Sequence, residues 1–493
     1  MPRLRTYQRT FGQFFTPDTV VSCCYQLLRN SLPPSPRIVD PACGDGAFLR
    51  YAAHHGLTSP ANLFGCDIDA TLVQDLRRDG LDRVRCVDGL APQSLPSHAF
   101  DLVVGNPPFG IATRTQGASP LSSEVQFLLR AVDIVRPGGY IALVLPNGLL
   151  TNRRLQSVRD AMLQQCTLQA VIALPRETFR GTGTNAACSI VVLHKAFVKP
   201  EHQVFFALAH HLDDLTCVTV AYHTRQTLVA PEEDYLVSDT EVSTETYWLP
   251  QTSVLIERMD AAFWRPIYRT LLEHMTARYS VQTLGDLVDR RRNLIAGDHV
   301  RPSRGEARGA NLPYEYYQTR EFLSAGYNYV ALERCNEPAY QRLKYTTVQQ
   351  HDILVSCAGV GGAGNARVCL ITHQPGPSCT GDVLIVRLSD PHPIFLFLFL
   401  TSVYGRMQLL RLQNGVGTVN ISTAELLQVQ VPLVPPAVQQ AFAARYVPLV
   451  ADHDAAMAAL QHGDDTRFQT LRESSKRRLS AVCHELEQHI VIR

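Results

Sequence analysis

Between residue 36 and about residue 195 the chain repeats one pattern. A continuously apolar run ends in a cluster of glycine, aspartate or proline, and an amphipathic segment usually follows. The runs are "PRIVDPAC", "NLFGCDID", "RVRCVDG", "AFDLVVGNPPF", "GYIALVLPNG", "LQAVIALP" and "ACSIVVLHK". Between them, "GAFLRYAAHHG", "ATLVQDLRRDG", "VQFLLRAVDIV" and "RRLQSVRDAMLQQC" space their apolar residues as helices do. Apolar strands alternating with helices predict an α/β fold, a mainly parallel sheet covered on both faces. In such sheets ligands lie beyond the carboxyl ends of the strands. Each unusual residue cluster of this chain falls at that end.

The first cluster is "IVDPACGDGAFL" (38–49), a strand, a glycine turn and a helix. Gly44 and Gly46, with Ala42 beside them, let the backbone approach a ligand closely. The turn is not G-x-G-x-x-G and no lysine follows, which disfavours a dinucleotide fingerprint or a P-loop. Asp40 ends the first strand, where a carboxylate can meet a cationic group. Asp67, followed by Ile68, ends the second, where an acid can accept from ribose hydroxyls. Asp88 ends the third, within reach of an adenine amino group. Singly, each acid also suits a helix cap or a turn. Together they fit a nucleoside cofactor with a positive charge, and S-adenosylmethionine is such a molecule.

The second cluster is Asn106-Pro107-Pro108-Phe109, at the end of the fourth strand. Two prolines fix two φ angles and hold Asn106 extended. The Asn106 side-chain oxygen and the Pro107 carbonyl can accept both hydrogens of an exocyclic amine. Held this way, the nitrogen becomes more tetrahedral and turns its lone pair toward an electrophile, in a preorganised site. Phe109 can stack on the ring. Such chemistry needs the base outside its helix. It needs no metal, and none of the thirteen cysteines forms a C-x-x-C pair of the zinc-site kind.

"DPACGDGAFL" followed by "NPPF" resembles the N6-adenine DNA methyltransferases, with the cofactor motif first and target recognition last. Upstream, "GQFFTPDTVV" (12–21) resembles that family's N-terminal cofactor motif and implies Thr16 against the methionine moiety. Downstream, "LPRETFRGTGTNAACSIVVLHK" (174–195) resembles the base-pocket segment of type I modification subunits and implies Phe179 as a stacking partner. The resemblance covers roughly residues 10–200. It implies a Rossmann-like, S-adenosylmethionine-dependent methyltransferase domain whose seven-stranded sheet has a reversed last strand. N-P-P-[YF] also occurs in glutamine N5 methyltransferases, because Asn-Pro-Pro can hold an amide nitrogen equally well. The long C-terminal half argues against that reading. Two alternatives stay open: a methyltransferase of RNA or protein glutamine, and a non-catalytic DNA-binding subunit.

Residues 200–245 are irregular and acidic, which predicts a linker or peripheral subdomain. "VLIERMDAAFWRPIYRTLLEHM" then reads as one amphipathic helix. Beyond it, "HDILVSCAGVGGAGNARVCLI", "GDVLIVRL", "GVGTVNIS" and "VPLVPPAVQQAF" resemble one target-recognition domain of a type I specificity subunit. His351 stands where that family has glycine before Asp352. The implied plan is a methyltransferase domain (1–245), an α+β recognition domain (246–435) and a long helical spacer (436–493), broken near Gly463. Arg290, Arg291, Arg292, Arg301, Arg304 and Arg308 crowd one glycine-bearing stretch with few acids, which suits phosphate contact. "YEYYQTR" (314–320) is a candidate for reaching base edges. The expected partner is duplex DNA, with a second copy or a restriction or translocase chain beside it.

A net charge of +1 neither demands nor excludes nucleic acid, since a local patch can hide in a neutral total. With 45% hydrophobic and 18% charged residues, the 493-residue chain reads as globular, and "PIFLFLFL" is too short to span a bilayer. The N-terminus lacks the apolar run of a signal peptide. Scattered cysteines fit a reducing compartment, here the cytoplasm of a bacterium or archaeon.

Overall fold

The computed structural model describes residues 15–109, 121–179, 186–229, 244–254, 258–288, 295–296, 305–359, 366–388, 392–414 and 420–491. The chain divides into two compact units, one closing at Pro266 and one opening at Ile267.

The first unit is an α/β fold. Its strands are β1 (Ile38–Asp40), β2 (Leu63–Asp67), β3 (Val84–Cys86), β4 (Phe100–Gly105), β5 (Val135–Pro146), β6 (Thr167–Ala173), β7 (Cys188–His194), β8 (Gln203–Leu208) and β9 (Glu245–Pro250). They form one sheet in the order β3-β2-β1-β4-β5-β7-β6-β8-β9. β1 to β5 run parallel, with Val39 opposite both Phe64 and Val103. The strand order reverses between β1 and β4, and a crevice opens outside the carboxyl ends at such a switch. Asp40 ends β1 and Asn106 follows β4, so the topology brings them to that place. Helices α1 (Asp18–Leu28), α2 (Ala47–His54), α3 (Ala70–Arg78), α4 (Ser123–Ile134), α5 (Gln156–Leu163) and α6 (Asp214–Thr224) belong to this unit. Along β4, Leu102 and Val104 join one apolar cluster and Val103 joins the other, so both faces of the sheet are buried. Burying each such side chain contributes roughly 1.5–3 kcal/mol.

Three expectations are corrected. The sheet has nine strands rather than seven. The reversed strand is β7, antiparallel to both β5 and β6, but β8 and β9 continue the sheet beyond β6. Residues 200–245 are therefore not a linker alone. "VFFAL" is buried from Val204 to Leu208. The acid after it caps a turn: Asp214 accepts the backbone N–H groups of His210 at 3.0 Å and His211 at 2.7 Å. Finally, the helix expected from residue 254 is α7 (Pro266–Arg278), preceded by a short 3₁₀ turn at Ala261–Trp264. Pro266 has no N–H to give a helix interior and occupies a first turn instead, where none is needed.

The second unit is α+β. One four-stranded sheet orders Ile295–Ala296, Val383–Val386, Ile353–Ser356 and Val368–Leu370. Another orders Arg308–Gly309, Glu333–Cys335, Tyr314–Tyr317 and Ser378–Thr380. The apolar "PIFLFLFL" forms α8 (Pro393–Thr401), buried from Phe395 to Leu400. Two long helices, α9 (Pro436–Gln461) and α10 (Asp465–Ile490), meet at Gly463, whose φ of +74° turns the chain. Ion pairs Arg445–Glu485 and Arg478–Asp452 join them. Among the described residues no single helix is long and apolar enough to cross a membrane.

Candidate active site at the carboxyl edge of the sheet

The turn after β1 is held from behind. Gly44 and Gly46 have φ of +53° and +78°, and a Cβ on Gly46 would stand 2.2 Å from the Leu76 side chain. Cys43 N–H donates to the Cys66 carbonyl at 2.9 Å, and Gly44 N–H donates to Asp67 Oδ2 at 2.7 Å. Asp67 Oδ1 accepts from Asp69 N–H at 2.9 Å. Asp67 thus fixes the turn. A carboxylate offers about four acceptor positions, so these two bonds leave room for ribose hydroxyls.

Asp40 is placed differently from a simple surface acid. It is 2% exposed and accepts from Ala42 N–H at 3.0 Å. Burial pushes its carboxyl up to about 8, against the pull of the Ala42 N–H. Near neutral pH it is largely protonated, so it offers a cation little fixed charge. Gly105, the last residue of β4, has φ of +152°, and a Cβ there would lie 2.7 Å from Asp40 Oδ1. The Asp40 carboxyl therefore packs on the backbone immediately before Asn106.

Asp88 is exposed, with one oxygen accepting from Leu90 N–H at 2.9 Å. The next residue, Gly89, touches the first turn, since a Cβ there would stand 1.9 Å from the Pro41 carbonyl oxygen. Val87 N–H donates to the Asp67 carbonyl at 2.9 Å, bringing Ile68 and Asp88 to adjacent strand ends. Ile68 is 58% exposed. An uncovered apolar side chain beside an exposed acid suits the face and edge of a purine. These residues fit the proposed nucleoside cofactor.

Asn106 Nδ2 donates to Thr16 Oγ1 at 3.2 Å, between residues 90 apart in sequence. The two proline carbonyls differ. Pro108 O accepts from Ser123 Oγ at 2.7 Å, at the start of α4, while no hydrogen bond to Pro107 O is found among the described residues. Phe109 and Phe179 are buried in one apolar cluster. Each lies beside a segment outside the described residues, 110–120 and 180–185.

Gly89, Gly105 and Ser123 are the site residues the sequence reading missed. An Asp-Gly pair reads only as a turn, and Ser123 only as a helix start. Arg290, Arg291, Arg292, Arg301 and Arg304 lie outside the described residues. Arg308 is described, with its guanidinium 4.2 Å from the Tyr316 ring centre. In "YEYYQTR", Tyr316 and Tyr317 are buried in packing, and Arg320 is exposed. All thirteen cysteines are free thiols, and among the described residues no group of three or more His, Cys, Asp or Glu could hold a metal ion.

The N-6 DNA Methylase family model matches residues 4–218. The type II restriction enzyme and methyltransferase RM.BcgI of Heyndrickxia coagulans is 29% identical over 215 residues, 39% of this chain and 32% of that protein. The type I restriction enzyme EcoKI methylase subunit of Escherichia coli strain K12 is 27% identical over 209 residues, 35% of this chain and 38% of that protein. The chain thus spans well under half the length of these relatives. Among solved structures, the type IIG restriction endonuclease BpuSI aligns over 97% of this chain and 67% of its own, with 14% identity and a TM-score of 0.45.

Proposed function

We propose that this chain transfers a methyl group from S-adenosylmethionine to N6 of adenine in duplex DNA, as part of a restriction-modification or related defence system. The observation that carries this reading is Asn106-Pro107-Pro108-Phe109 directly beyond β4, beside the β1 turn, at the point where the strand order reverses. The cofactor, when bound over Gly44, Gly46, Asp67, Ile68 and Asp88, supplies an electrophilic methyl on its sulfonium. The chain's own residues prepare the nucleophile. Asn106 Oδ1 and Pro107 O accept the two N6 hydrogens and aim the lone pair. Ser123 ties down the neighbouring Pro108 carbonyl, which keeps Pro107 in place. Phe109 and Phe179 stack on the flipped base once their apolar cluster admits it. The N6 lone pair so aimed would take that methyl, and the extra N6 proton would pass to solvent.

The second unit is the target-recognition domain in this reading, fused to the catalytic unit, with α9 and α10 as a spacer. Arg290, Arg291, Arg292, Arg301 and Arg304 contact phosphates. A single recognition domain predicts a short asymmetric site read by one chain, or a two-part symmetric site read by a dimer. A restriction or translocase chain is a further partner of the intact system.

The test is transfer of labelled methyl groups to duplex DNA by the wild type and by Asn106→Ala, with cofactor affinity measured alongside. The expected result is a rate loss of at least ~10²-fold, as for other transition-state hydrogen-bond groups, with affinity nearly unchanged. Equal loss of both would remove Asn106 from its role. Activity on free RNA or a glutamine-bearing protein, with none on DNA, would favour the rival substrates.

A further inference from the structure

The Asn106 carboxamide does its work only in one orientation. Its oxygen must face the target amine, because a nitrogen in that place would present hydrogens to hydrogens. The amide is planar, so whatever fixes Nδ2 also fixes Oδ1. In the structure Nδ2 donates to Thr16 Oγ1 at 3.2 Å. Thr16 is well placed to act as a fixed acceptor. Pro17 follows it, with φ of −58° and ψ of 144°, and restricts Thr16 to extended backbone. Pro17 also caps α1, its carbonyl accepting from Val20 and Val21 N–H at 3.0 and 3.1 Å. Helix α1 is anchored by its buried face, which includes Val20, Val21, Cys24 and Leu27. Threonine itself is stiff at χ1.

We propose that Thr16 is a positioning residue for Asn106: its hydroxyl oxygen holds Nδ2 and thereby turns Oδ1 toward the target amine. This goes beyond the contact with the methionine moiety that the resemblance implies for Thr16, and it rests on the methyl-transfer reading above. A hydroxyl that accepts from Asn106 still has a hydrogen to donate. A cofactor held against Thr16 would take that hydrogen and make the oxygen a better acceptor for Nδ2, since hydrogen bonds in a chain polarise one another. One side chain then couples an occupied cofactor site to a correctly aimed base clamp.

The experiment compares Thr16→Val, Thr16→Ser and wild type. Cofactor affinity is measured by calorimetry with S-adenosylmethionine alone, and the single-turnover methylation rate is measured at saturating cofactor. The expected result for Thr16→Val is a rate about tenfold lower, the loss of one ordinary hydrogen bond. Thr16→Ser keeps the oxygen and returns the rate to within about threefold of wild type by the same reasoning. A rise in cofactor dissociation constant with no fall in saturated rate overturns the proposal and leaves Thr16 a cofactor contact only. Equal rate losses in Val and Ser also overturn it, since keeping the hydroxyl oxygen would then give no advantage. Should Thr16→Val not fold, Thr16→Ala makes the same comparison with Ser. An inactive wild type removes the methyl-transfer reading and this inference together. An active wild type with an unaffected Thr16→Val removes this inference alone.

Discussion

Asp40 carries its proton at a pH where surface acids have lost theirs. Its folded value is about 8, raised by burial, against an ordinary value of 3.8. The sign follows from proton binding. Between these two values the folded chain holds a proton that the unfolded chain has released, so stability falls as pH rises through this window. Asp40→Asn keeps an acceptor for Ala42 N–H and removes the ionisation. Thermal melts should show the variant gaining on the wild type as pH rises from about 5 to about 8.5. A constant difference across this range would contradict the assignment. His351 is a second residue with a readable cost. The histidine adopts φ of +70°, a conformation that side chains other than glycine rarely take. The next residue, Asp352, is locked by Arg387 with both oxygens at 2.7 Å and by Gln349 N–H, so the turn cannot relax. His351→Gly should stabilise the protein by about 1 kcal/mol in urea unfolding. A loss of stability would show that the side chain does more than fill the position.

At the scale of elements, the strand ends are held together by backbone contact as much as by side chains. Gly89 shows this most directly, since any Cβ there meets the Pro41 carbonyl oxygen. Gly89→Ala should cost upwards of ~2 kcal/mol, as overpacking against rigid backbone does. It should also weaken cofactor binding, because the displaced atom belongs to the glycine turn. Unchanged cofactor affinity would separate the third strand from the site. What the sequence makes legible follows the same physics. β1, β2 and β4 to β7 are readable as apolar runs, and β3, with only Val84 buried, from the Asp-Gly that follows it. β8 is equally apolar but lies between "KPEHQ" and "HHLDD", whose charge suggests solvent. β9, "ETYWLP", mixes polar and aromatic residues, so no continuous apolar run announces it. The glycine turn and Asn-Pro-Pro-Phe announce themselves locally. Gly89, Ser123 and the Thr16–Asn106 bond do not, because each acts on a partner distant in sequence. Asp40 was visible as a residue, but its burial was not, since β4 supplies the cover through Gly105.

At the scale of the whole molecule, the two units divide the proposed work. The first contains the proposed cofactor rim and the Asn106 site. The second is built from small sheets, the buried α8 and the paired helices α9 and α10. A chain ending at Pro266 should keep cofactor affinity within about threefold while losing sequence-selective DNA binding, since phosphate contacts alone do not specify sequence. Unaltered selectivity in the truncated chain would remove the recognition role from the second unit. The central claim is the reaction itself. The direct measurement is long-read detection of modified bases in DNA from a methylation-free bacterium expressing this chain, beside an Asn106→Ala control. The account predicts N6-methyladenine at one sequence motif, absent from the control. Genomic DNA without methyladenine, from cells that contain the folded protein, would contradict it.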